Sequence, residues 1–161
     1  MILPIALEDS PASFPAGLMG DTRRGPNGAV YVLCKNTDAS SLASGRAVTM
    51  ETPATFYVDL VSTAQPIFGI VTNELTGDVA AVNDAVWVQV AGLCYAQKGL
   101  ATGSAAIAVG QYLGPRASGH VMTRTTTVGS QTVDVIGDFL NIKAESAVAS
   151  SATTNVLVWL M

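Results

Sequence analysis

The stretch AVWVQVAGLCYAQ, Ala85 to Gln97, is the longest uninterrupted run of strand-forming residues in the chain. Valine and aromatic residues recur through it, and no acid or base interrupts it. That is the signature of a strand buried on one or both faces. Gly92 stands in its middle, where a residue without a Cβ marks a bulge or a bend at a barrel corner and lets one run serve two faces.

Working outward, the same kind of short Val-, Thr- and Ala-rich run recurs. Strands are predicted over 29–35, 47–51, 55–61, 67–73, 85–97, 106–113, 119–124, 132–136, 139–144 and 155–161. Between them lie breakers such as Ser44-Gly45, Asn83-Asp84, Gly114-Pro115 and Gly129-Ser130. No segment carries a capped run of apolar residues at helical spacing; only 37–43 and 74–81 offer a short helical turn. Many short strands with frequent turns predict an all-β fold, a small antiparallel β-barrel or sandwich. The terminal run Val156-Leu157-Val158-Trp159-Leu160-Met161 is apolar enough to predict a strand inside the sheet. Trp87 and Trp159, flanked by β-formers, are expected in the core.

Residues 1–28 differ from the rest. Pro4, Pro11, Pro15 and Pro26 alternate with Gly17, Gly20, Gly25 and Gly28, which excludes a long helix or a central strand. This is the composition of an extended N-terminal arm ahead of a single β domain, 29–161. Its apolar spots, Ile2, Leu3, Ile5 and Phe14, are candidate anchors on a partner, and Arg23 and Arg24 offer bidentate donors to a partner's carboxylates. Asn27-Gly28 closes the arm with a turn.

Charged residues make up only 12% of the chain and apolar ones 49%, so the surface must be weakly charged, as in proteins that pack against neighbours. A net charge of -4 argues against a nucleic-acid partner. Despite a mean hydropathy of +0.40, no apolar run reaches the roughly 18 residues of a spanning helix, and no membrane role is expected. The N-terminus, which runs from Leu7 into Glu8 and Asp9 without a basic leader, does not read as a secretory signal, so synthesis in a cytoplasm is expected.

The inventory for chemistry is thin. His120 is the one histidine, without a nucleophile-elbow pattern to complete a triad, and it reads as a surface or interface residue. Cys34 and Cys94 sit in apolar surroundings and read as buried free thiols, with a single buried disulfide as the alternative. Glu74, Asp78 and Asp84 lack the ligand order of a calcium loop and read as turn and cap residues, and GLATGSAAIAVG, 99–110, lacks the ending of a phosphate loop. No cofactor, metal site or catalytic residue is expected, and the chain reads as a non-enzyme.

The succession of the Val86 to Val90 strand with Gly92, then Ala106 to Leu113, Gly119-His120-Val121-Met122, Val135-Ile136-Gly137-Asp138-Phe139-Leu140 and the closing strand from Asn155 resembles the decoration, or cement, proteins of tailed-bacteriophage capsids. The resemblance implies a structural virion protein on the capsid exterior, a homotrimer that clamps the major capsid protein and uses its arm to do so. The alternative is a head fibre or a receptor- or carbohydrate-binding module of a virion.

Overall fold

The computed structural model describes residues 19–52, 55–63, 65–72, 79–99, 106–123, 125–128, 131–134, 142–149 and 155–161. Among them the strands are β1 (Thr22–Arg24), β2 (Val30–Asn36), β3 (Ala47–Thr52), β4 (Tyr57–Leu60), β5 (Gly69–Val71), β6 (Ala85–Gln97), β7 (Tyr112–Arg116), β8 (His120–Thr123), β9 (Thr125–Val128), β10 (Gln131–Asp134), β11 (Ile142–Ala144) and β12 (Asn155–Leu160). The fold is all-β. Strands β2, β4, β3, β5 and β6 pair in that order, and β6 pairs back onto β2 to close a five-stranded barrel.

The second half of β6 enters another ring. β12, β11, β7 and β8 follow it in order, and a parallel bridge between Lys98 and Val121 returns the ring to the end of β6. Substituting β6, β7, β8, β11 and β12 for β2, β3, β4, β5 and β6 reproduces every pairing. The parallel pair β2–β4 becomes the parallel bridge from Lys98 to β8, and all other neighbours are antiparallel in both rings.

The hydrogen bonds repeat as well. Leu42 and Ala80 exchange backbone bonds of 2.9 and 3.1 Å, and Ile107 and Val148 do so at 2.8 Å each. Gly45 donates to Val71 at 2.9 Å while Val71 donates to Arg46 at 2.8 Å; Gly110 to Ala144 and Ala144 to Gln111, at 2.7 and 2.9 Å, are the counterparts. The chain is therefore a tandem pair of like barrels sharing one strand.

Alternation fills both interiors. Val32, Cys34, Leu42, Val48, Val58, Val71, Val86 and Val88 form the first core. Cys94, Ala96, Ile107, Leu113, Val121, Ile142, Ala144, Val148, Val156, Val158 and Leu160 form the second, and Ala47, Val61, Ile67 and Ile70 from the first barrel join it to seal the two together. Equivalent polar groups plug equivalent ends. Asn36, fully buried, donates from Nδ2 to the carbonyls of Ser40, Ala80 and Ala81 at 3.1, 3.2 and 3.0 Å. Lys98, also fully buried, sends Nζ to Ala149 at 2.9 Å, the position matching Ala81.

At Gly92 the strand passes from one barrel to the other with φ +87. A Cβ there would lie 2.8 Å from both N and Cα of Ala29, so the crossing needs glycine for its dihedral and for its closeness to the neighbouring backbone.

Three departures from the expected elements have plain causes. The strand expected over 106–113 starts only at Tyr112, because Val109 and Gly110 make a turn held by Ala108 donating to Oε1 of Gln111 at 2.8 Å; Ile107 makes its isolated bridge before that turn. Within the 1–28 segment, Thr22–Arg24 are not free but pair antiparallel with β2, and Pro26 to Gly28 turn back with Asn27 at φ 55. Residues 37–43 form bends, not a helical turn, because Asn36 and Asp38 side chains accept from the amides of Asp38 and Ser40 at 3.0 and 2.8 Å.

Candidate interaction surface

The outer wall of the first barrel, where β2 lies against β6, is apolar: Tyr31, Leu33, Ala85 and Trp87, with Leu33 opposite Trp87. It is sealed. Met19 packs on this cluster, Gly20 donates to the Leu33 carbonyl at 2.8 Å, and Leu33 donates to Asp21 at 2.9 Å. β1 continues the cover, and Arg23 lays its guanidinium 5.3 Å from the Trp87 ring centre, a cation–π contact. Trp87 is only 3% exposed.

The matching wall of the second barrel is Leu93 and Tyr95 on β6 with Leu157 and Trp159 on β12. Tyr95 stands opposite Leu157, and Leu93 opposite Trp159. Next to Trp159 comes Lys143 on β11, then Tyr112 on β7. This wall is open, with Tyr95 54% and Trp159 39% exposed. Among the described residues no segment seals it, because those preceding the second half of β6 are its own first half. The expectation of a core Trp159 is thus corrected: β12 alternates, turning Val156, Val158 and Leu160 inward and Trp159 outward.

Of the candidate partner-binding residues, Ile2, Leu3, Ile5 and Phe14 lie outside the described residues. Arg23 is engaged with Trp87, and Arg24 is exposed at the end of β1. Sequence reasoning does not link the arm residues to the open wall. The signal it offers is the strict alternation of 155–160, which puts Leu157 and Trp159 on one face once β12 is accepted as a strand.

His120 begins β8 at the seam of the barrels. Its Nδ1 lies 3.1 Å from the Ala117 carbonyl, and Arg46 Nη1 lies 2.7 Å from Nε2 and 3.1 Å from Nδ1. The same Arg46 nitrogen donates to the Ser118 carbonyl at 2.6 Å. Burial holds the imidazole below its ordinary pKa, and the charges of Arg46 and Arg116 push the same way against the Ala117 hydrogen bond. This is a joint between barrels, with His120 neutral at pH 7.

The other side chains weighed from sequence take structural parts. Asp84 accepts from the Ala81 amide at 3.2 Å in a turn, while Glu74 and Asp78 lie outside the described residues. Cys34 and Cys94 are buried and form no disulfide, and burial pushes the Cys34 thiol up to about 12. No group of three His, Cys, Asp or Glu side chains that could hold a metal ion occurs among the described residues. No protein-family model matches the chain, and no curated protein matches it.

Proposed function

We propose that this chain is a structural protein that works by adhesion, a decoration protein bound to the outside of a phage capsid as a homotrimer. The observation that carries the reading is the contrast between two equivalent walls. The first barrel's wall is sealed by the chain itself, and the second's presents Tyr95 and Trp159 to water, with Leu157 half-buried beside them. Aromatic side chains on a rigid, weakly charged face are what the centres of protein interfaces use.

Two closed barrels sharing a strand give such a face little freedom to lose on binding, which favours affinity. A ligand that recognises only the mature shell stabilises it by mass action, in proportion to the logarithm of its concentration over Kd. The capsid assignment itself rests on the order of strands and glycines along the sequence and on the composition of the 1–28 segment. Its test is to mix the purified protein with expanded, undecorated phage heads and follow co-sedimentation and heat resistance. Heads that neither carry the protein at micromolar concentration nor gain resistance would end this reading.

A carbohydrate-binding module of a virion is the second reading, and the exposed rings of Tyr95 and Trp159 favour it, since sugars stack on flat aromatic faces. A glycan array that lights up with the native protein, and goes dark with Trp159→Ala, would select it over head binding.

A further inference from the structure

We infer that the open wall of the second barrel is the docking site for residues 1–18 of a second copy of this chain. The inference rests on reading that wall as a protein-binding surface, and it names the occupant. The first barrel supplies the precedent: its equivalent wall is covered by an extended segment lying immediately upstream, from Met19 through β1. The second barrel has nothing upstream but β6, so a like cover must come from another part of a chain. Among the described residues nothing covers Tyr95 and Trp159, and the homotrimer proposed above brings a neighbouring copy as the source.

The chemistry of the segment matches. Ile2, Leu3, Ile5 and Leu7 provide apolar side chains for Leu93, Tyr95, Leu157 and Trp159, and Glu8 and Asp9 follow directly. On the wall, the one cation in register beside Trp159 is Lys143. An apolar strip ending in two acids therefore meets an apolar strip bordered by a base. Pro4, Pro11 and Pro15 keep the segment from folding into a helix of its own. Extended, 18 residues reach up to roughly 60 Å from Met19, enough to leave their own first barrel for the wall of a neighbouring copy. Because an arm and a wall are different surfaces, the contact is heterologous, and repeated copies close into a ring when the rotation allows.

The test uses the full-length chain in analytical ultracentrifugation, without any capsid. Wild type is expected to sediment as a closed oligomer. A wall variant, Trp159→Glu, and an arm variant, Ile2→Glu with Ile5→Glu, are each expected to sediment as monomers. Mixed one to one, they are expected to form a two-chain complex, because the wall variant's intact arm meets the arm variant's intact wall. A monomeric wild type overturns the inference. So does an oligomer that survives either variant, survival in the arm variant meaning that the wall meets another wall, or a mixture that stays monomeric.

Should Trp159→Glu melt early, Lys143→Glu serves instead. It is expected to weaken the oligomer at least tenfold and to recover when Glu8→Lys and Asp9→Lys are added; no recovery refutes the pairing. Head binding is measured separately, so loss of self-association with head binding intact removes the arm contact alone.

Discussion

Replacing Gly92 with alanine tests the shared strand at its crossing. Two costs add. An L-residue at φ +87 carries backbone strain of about 1–2 kcal/mol. The new methyl also lands 2.8 Å from the backbone N and Cα of Ala29, atoms that no rotamer change can move aside, and such overpacking costs about 1–3 kcal/mol. Together about 2–5 kcal/mol should be lost, a large part of the roughly 5–15 kcal/mol by which a domain is stable. At about 2–4 °C per kcal/mol for a chain of this size, Tm should fall by roughly 4–20 °C.

Gly28→Ala is the control. Gly28 has φ +74 but nothing within 4 Å of the place a Cβ would take, so only the strain applies, about 1–2 kcal/mol. Thermal unfolding followed by circular dichroism should therefore rank wild type above Gly28→Ala and both above Gly92→Ala. If the two variants melt together, the collision with Ala29 contributes nothing and the argument for Gly92 as a packed crossing fails.

Asn36→Ala removes the Nδ2 donor to the Ser40, Ala80 and Ala81 carbonyls, of which the last two keep backbone donors in Leu42 and Asp84, and the Oδ1 acceptor of the Asp38 amide. At about 1 kcal/mol per hydrogen bond without a substitute, the loss should be about 1–2 kcal/mol in urea unfolding, and no measurable loss would mean that the Ser40 carbonyl and Asp38 amide find other partners. His120, the chain's one histidine, has its folded pKa lowered, so the unfolded chain takes up the proton first. Stability should be constant above the unfolded value of about 6.5 and fall as pH drops below it, and His120→Gln should remove the slope that sets in there. A slope unchanged in the variant would assign it to carboxylates. Cys34, with its thiol pushed up to about 12, should ignore a disulfide-exchange reagent in the native protein and react on unfolding; rapid native labelling would contradict its burial.

Part of this structure is legible in the sequence, and the rest is hidden for physical reasons. Alternating or continuous β-branched runs mark β2, β6 and β12, and Gly92 is recognisable as a bend because a glycine inside an apolar strand has few other uses. β1 is hidden by its surroundings, since Thr22–Arg24 sit among prolines and glycines and pair only because β2 offers an edge. The exposure of Trp159 depends on strand register, which residue type does not convey.

The repeat of the barrels leaves little mark on the sequence because equivalent sites share backbone demands, not side chains: Asn36 matches Lys98, and Leu33 matches Tyr95. Its one sequence trace is Leu42-Ala43-Ser44-Gly45 against Ile107-Ala108-Val109-Gly110, where both glycines hold a positive φ, +83 and +86. The open wall is illegible for the same reason, as it becomes visible only by comparison with its sealed twin.

A strand that belongs to two rings at once also forbids dissection. Cutting the chain after Gln97 would leave the first half holding an unpaired length of β6, and cutting before Ala85 would strip the other half's neighbour of two ladders. Neither half is a removable module, so the protein should melt in a single cooperative transition despite having two cores, and proteolysis should yield whole chains or small peptides with no stable half-sized fragment.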